Sequence, residues 1–147
     1  MSKFILASAS PRRKELLKEI ISDFTVMPSD FDETSVNATL PPRKLVQELA
    51  KGKALAVAQG QEQGVVVLGS DTVVAFSKRV LGKPKDEEEA REMLTLLSGK
   101  RHAVYTGVCL VVNGKAFSAV CKNFIIRISW AQRRGPTNLF SSLPLID

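Results

Sequence analysis

The chain has 147 residues, 44% of them hydrophobic and 24% charged, with nine glycines and seven prolines. That is ordinary globular composition for a single domain, and it excludes a disordered or collagen-like chain. The apolar runs at residues 65–68 and 108–112 are far short of the ~20 residues a bilayer demands, and residues 4–7 are too short for a signal-peptide core. The expectation is a cytoplasmic protein with no membrane partner.

The formal charge of +6 divides unevenly. Residues 1–112 hold 16 Lys or Arg against 14 Asp or Glu, and residues 113–147 hold five against one. Between Met93 and Ile146 there is no carboxylate, so the composition changes character late in the chain. The basic residues are dispersed and aromatics are few, which disfavours a specific nucleic-acid partner. Cys109 and Cys121 match no metal spacing, and with one histidine a zinc site is not expected. Both are expected as reduced packing thiols.

In chain order, residues 3–8 read as a short buried strand. Ser10-Pro11 then opens a helix, with Ser as N-cap and Pro at the first helical position. The helix is expected to reach about Ile21, burying Leu16, Leu17, Ile20 and Ile21. Arg12, Arg13 and Lys14 crowd its first turn, the end where the macrodipole is unfavourable to cations. After a loop with Asp30, Asp32 and Glu33, Pro41-Pro42 leads into a second helix to about Gln59. There Leu45, Val46, Leu49, Ala50, Ala56 and Val57 share an arc of about 140°, and Lys53 falls in its middle.

Residues 65–68 form a candidate central strand, followed by Gly69-Ser70-Asp71-Thr72 and a second apolar run at 73–76. A third helix is expected from near Asp86, with Ala90, Met93, Leu94 and Leu97 on its inner face and Gly99 ending it. A long strand from about His102 to Val112, an Asn113-Gly114 turn and a return strand to about Val120 complete the pattern. Residues 124–128 could add a further strand. Helices alternating with strands make the class α/β.

Several of these residues carry chemistry. A strand, a tight turn and a helix opening on Pro11-Arg12-Arg13 is a phosphate-binding arrangement, because free backbone N–H groups attract an anion that guanidinium groups can grip. A solvated basic turn would look the same. Lys53 on an apolar face needs either a paired anion or a path for its tip to water. Asp71 and the Asp32-Glu33 pair supply carboxylates, which could hold Mg²⁺ against a polyphosphate or simply form turns. Four Gly-Lys pairs invite a P-loop, but none has the required preceding Gly and following Ser or Thr. His102 lacks a nucleophile partner and reads as structural.

Residues 6–13 (Leu-Ala-Ser-Ala-Ser-Pro-Arg-Arg), Asp32-Glu33, Leu49-Ala50 through Lys53-Ala54, 69–74 (Gly-Ser-Asp-Thr-Val-Val), 81–84 (Leu-Gly-Lys-Pro), 97–100 (Leu-Ser-Gly-Lys) and 105–108 (Tyr-Thr-Gly-Val) resemble, in order, the motifs of the Maf family. The resemblance covers residues 3–112. It implies an α/β fold with a Maf/ITPase-like mixed twisted sheet flanked by helices. It also implies a nucleoside triphosphate pyrophosphatase that uses a divalent cation, Mg²⁺ or Mn²⁺; apart from the resemblance, self-association into a homodimer is expected to cover a sheet left unfinished. On this resemblance Ser8, Arg12, Arg13, Lys53 and Lys83 bind phosphates, Glu33 and Asp71 are catalytic and hold the metal, and Asp71 is the proton acceptor. Arg12 and Thr72 match the positions of the dTTP/UTP-preferring branch, as opposed to the 7-methyl-GTP branch.

The family's later D-K-A-G-A-Y-x-I-Q-G block, whose glutamine helps select the base, has no counterpart in this sequence. The expectation is therefore a Maf-like domain at residues 1–121 and a divergent tail at 122–147, of the kind a frameshift or alternative splicing leaves. The tail should be loosely held and cut first after Arg133 or Arg134. An enzyme, active or impaired, and a non-catalytic nucleotide-binding or regulatory protein both stay open at this point.

Overall fold

The computed structural model describes residues 3–77, 79–82 and 84–126. Its elements run β1 (Phe4–Leu6), α1 (Pro11–Lys18), β2 (Thr25–Val26), a 3₁₀ turn (Glu33–Ser35), α2 (Pro42–Ala58), β3 (Val66–Phe76), β4 (Arg79–Leu81), α3 (Glu87–Leu97), β5 (Arg101–Val112) and β6 (Lys115–Ile126). The strands form one mixed sheet in the order β2-β1-β3-β5-β6, with β4 also on β3. β1 is parallel to both its neighbours, Phe4 to Leu6 facing Val66 to Leu68 of β3, whereas β4 is antiparallel to β3. The fold is the mixed α/β arrangement expected from the alternating pattern. No helix among the described residues is long and apolar enough to cross a membrane.

By their internal contacts the described residues fall into two units, and β3, β5 and β6 each contribute to both. The first comprises the chain through Asp71 together with 106–121. In its core Ile5 and Ala7 from β1 and the residue after it, and Val65 and Val67 from β3 and the residue before it, meet Cys109 and Val111 of β5 and Ala50, Ala54 and Val57 of α2. Of the apolar arc expected on α2, Leu45, Val46, Leu49, Ala50 and Val57 are buried, whereas Ala56 is only partly buried and Ala54 is buried in its stead. Small residues set how close the helix comes. A Cβ at Gly69 would overlap the Ala50 carbonyl oxygen and lie 2.8 Å from the Ala54 nitrogen, and one at Gly107 would lie 2.7 Å from the Val46 oxygen. The helix backbone therefore rests directly on the two strands at these glycines.

The second unit takes in residues 72–105 and the last part of β6. Val74, Leu97 and Val104 form its core, with Phe76 and Leu81 packed on them. Asp86 caps α3 by accepting from the Glu89 amide at 2.8 Å, and the acidic first turn complements the dipole. His102 is buried here, its Nδ1 3.4 Å from the Lys100 carbonyl oxygen.

Four further expectations change. α1 ends at Lys18, before Ile20 and Ile21, and of its anticipated stripe only Leu17 is buried, Leu16 being 50% and Ile20 82% exposed. A two-turn helix has room for one anchor. The two apolar runs around Gly69-Ser70-Asp71-Thr72 are a single strand, because Ser70 satisfies its hydroxyl on the Gly107 carbonyl oxygen at 3.0 Å and nothing forces a turn. β6 likewise runs unbroken to Ile126, since no Gly or Pro interrupts 115–126. Cys121 is exposed, so only the buried Cys109 packs as expected; both thiols are free. The hairpin is as expected: Asn113 (φ 50°) and Gly114 (φ 78°) both take positive φ, as a type I′ turn requires. Lys83 and the tail beyond Ile126, with the proteolysis expected at Arg133 and Arg134, lie outside the described residues.

The glycine contacts generate a prediction. Gly69→Ala forces a methyl into the α2 backbone and should destabilise the fold by about 1–3 kcal/mol, the usual range for overpacking. Gly60→Ala, where an added Cβ meets nothing within 4 Å, is the control. Urea unfolding followed by circular dichroism measures both.

Candidate active site

The site assembles where the parallel part of the sheet stops. β1 pairs with β3 only as far as Leu6 and Leu68, with the Ala7 amide donating to the Leu68 carbonyl oxygen at 2.8 Å. β3 continues three residues further to Asp71, beyond the carboxyl end of β1, the side on which open α/β sheets bind ligands. The β1-to-α1 turn is held by serines. Ser8 is buried and its Oγ accepts from the Ser10 amide at 3.1 Å, and Ser10 caps α1 by accepting from the Arg13 amide at 3.3 Å. Arg12 is exposed on the first turn. Arg13 reaches across to β3, its Nη1 donating to the Ser70 carbonyl oxygen at 3.2 Å. The β1-to-α1 turn is thereby anchored beside Asp71.

Lys53 is the centre of the arrangement. Its Nζ lies 2.8 Å from Glu33 Oε1 and 3.1 Å from Asp71 Oδ1. The Lys53 and Asp71 side chains are 18% and 14% exposed, whereas Glu33 is 56% exposed, so the triad opens to solvent on the Glu33 side. The stem of Lys53 runs along the apolar arc of α2 and its charge is neutralised at the tip, which resolves why a lysine occupies that face. Its anion partners are carboxylates of the chain itself.

Asp32 and Glu33 divide their work. Asp32 accepts from both the hydroxyl and the amide of Thr34, capping the 3₁₀ turn. The Thr34 hydroxyl first and its amide second hold the Asp32 carboxyl below the ordinary carboxylate range. Asp32 is thus a capping residue, and Glu33, on the turn it caps, is the one that reaches Lys53. Thr72 follows Asp71 on β3, so alternation turns its side chain to the other face of the strand. Sequence reasoning passed over Ser29, whose Oγ donates to the Lys53 carbonyl oxygen at 2.9 Å. Its one signal is the Pro28-Ser29-Asp30 turn chemistry.

Glu33 and Asp71 converge on one cation position, presently that of an ammonium. Among the described residues no group of three or more His, Cys, Asp or Glu is placed to hold a metal. Two carboxylates suit Mg²⁺, which keeps waters and takes the rest of its ligands from a phosphate substrate.

The Maf-like protein family model matches residues 3–130. The chain belongs to the Maf family. It is 51% identical over 124 residues to a dTTP/UTP pyrophosphatase from Clostridium novyi, covering 82% of this chain and 65% of that protein. To a dTTP/UTP pyrophosphatase from Bacillus cytotoxicus it is 54% identical over 115 residues, covering 78% and 59%. The chain thus spans about three-fifths to two-thirds of the length of these relatives. The fold is similar to that of a HAM1 protein from Coxiella burnetii, with a TM-score of 0.52 at 19% identity over 84% of this chain and 71% of that one.

The ion-pair geometry predicts that Lys53→Met leaves two facing carboxylates without their cation. The variant should be less stable than wild type in metal-free buffer and should recover more stability than wild type on adding Mg²⁺, which takes the vacated position. Thermal melts with and without Mg²⁺ test this; equal Mg²⁺ shifts in the two proteins would mean that Mg²⁺ does not take the position that Lys53 vacates.

Proposed function

We propose that the chain is a nucleoside triphosphate pyrophosphatase, hydrolysing dTTP or UTP to the monophosphate and pyrophosphate. The observation that carries this is the convergence of Glu33 and Asp71 on Lys53 beside the Arg13-anchored phosphate turn. The names of the relatives about half identical to this chain support the substrate class.

In this reading Ser8, Arg12, Arg13 and Lys53 hold the triphosphate, with Lys83 as a further cation. Water attacks the α-phosphorus in line, the bond between that phosphorus and the bridging oxygen breaks, and pyrophosphate leaves. Asp71, largely buried and fixed by Lys53, accepts the proton of the attacking water. Glu33 and Asp71 hold Mg²⁺ or Mn²⁺, which when bound neutralises charge on the phosphate oxygens. As the phosphates enter, the Lys53 ammonium exchanges a carboxylate for a phosphate oxygen, adding positive charge where negative charge develops. Arg12 and Thr72 favour the pyrimidine nucleotides. The protein works in the cytoplasm as a homodimer, with Leu16 and Ile20 on the surface as apolar area a second copy would cover.

Asp71→Asn should lower pyrophosphate release by about 10²–10⁴-fold, the span of one general base, while nucleotide affinity changes by less than about tenfold, ~1.4 kcal/mol. Coupled pyrophosphate detection with dTTP, UTP and 7-methyl-GTP, together with calorimetric titration, measures both. Undiminished turnover by the variant, or a preference for 7-methyl-GTP, would overturn the corresponding assignment.

A further inference from the structure

We propose that Ser29 is a positioning residue that sets the reach of Glu33 into the site, an inference that rests on the pyrophosphatase reading for its kinetic consequence. The Ser29 hydroxyl does two things at once. It donates to the Lys53 carbonyl oxygen at 2.9 Å and accepts from the Phe31 amide at 3.3 Å. Phe31 lies two residues before Glu33, and Glu33 Oε1 returns to the same lysine at 2.8 Å. The segment from Ser29 to Glu33 is therefore tied to Lys53 twice, through the backbone of the lysine at one end and its ammonium at the other.

A third point of attachment lies between them. The Phe31 ring rests on Gly52, where a Cβ would overlap the ring atoms. The absence of a side chain at 52 lets the ring lie flat on α2, one residue from Lys53. Asp32 then caps the turn through Thr34, so every residue from 31 to 34 has a defined attachment. Glu33 itself is more than half exposed, and its carboxylate is held at the tip by the Lys53 ammonium. Its position comes from the backbone that carries it, and that backbone is held by the Ser29 hydroxyl. Misplacing a metal-holding or water-orienting carboxylate by about 1 Å is enough to cost on the order of 10²-fold in rate, so the hydroxyl acts on turnover without touching substrate.

The test compares Ser29→Ala and Ser29→Thr in the wild-type and Glu33→Gln backgrounds. Ser29→Ala should lower kcat about tenfold with KM changed less than about twofold, and Ser29→Thr, which keeps the hydroxyl, should restore most of it. In the Glu33→Gln background Ser29→Ala should cost less than about twofold, because a residue acting through Glu33 has nothing left to position. A fall of the same size in both backgrounds, or none in either, overturns the proposal. Hydrogen exchange on the nucleotide-free protein reads the same device without activity: Ser29→Ala should speed exchange at the Phe31 amide and leave the α2 amides unchanged. If wild type hydrolyses no triphosphate, the pyrophosphatase reading fails alone, and unchanged exchange at Phe31 would overturn the positioning role by itself.

Discussion

The site depends on how closely α2 can lie against β3 and β5. At Gly69 and Gly107 the helix backbone meets the strand backbone with no side chain between, and Ala50 and Ala54 keep the helix side of that contact thin. A larger residue at any of these positions would lift α2 from the sheet. Lys53, next to Ala54, would rise with it, and its 3.1 Å contact with Asp71 would open. The backbone contact and the ion pair are thus one constraint seen at two places, and the first is the reason that the second can form between residues on different elements.

Charge placement follows from the same geometry. A buried ammonium facing one carboxylate alone would leave its remaining donors to solvent or to nothing, and the largely buried Asp71 would be expensive without a cation. Placing Glu33 on an exposed turn supplies a second acceptor that remains accessible from outside. The triad is therefore neither sealed nor solvated. An entering anion can compete for Lys53 from the open side while Asp71 stays fixed from below, and a divalent cation can compete for the carboxylates from that same side.

Serine hydroxyls do much of the fixing, each by pairing with a backbone group: Ser8 with the Ser10 amide, Ser10 with the Arg13 amide, Ser70 with the Gly107 carbonyl and Ser29 with the Lys53 carbonyl. These short side chains lose little rotamer freedom on ordering. They let a turn, two strands and a loop hold register around a polar centre without burying unsatisfied groups, and no buried side-chain polar atom among the described residues lacks a partner.

Local pattern was enough for the features that depend on a residue and its near neighbours. The α2 arc with Lys53 in its middle, the Asp86 cap of α3 and the two positive-φ residues of the Asn113-Gly114 turn are all legible because helical phase, capping and turn stereochemistry act over a few residues. The motif blocks likewise marked Ser8, Arg13, Glu33, Lys53 and Asp71 before any geometry was known. What the chain order could not reveal is which of these meet. Lys53 and Asp71 are 18 residues apart on different elements, and their contact exists only because Gly69 and Gly107 admit the helix. For the same reason the apolar runs on either side of Gly69-Ser70-Asp71-Thr72 read as separate and are one strand in the fold, with the missing side chain of Gly69 serving a neighbour from another part of the chain. Leu16 and Ile20 fail in the opposite sense, since helical spacing marks them as a stripe, but burial needs a surface to cover them, and that is a property of tertiary packing alone.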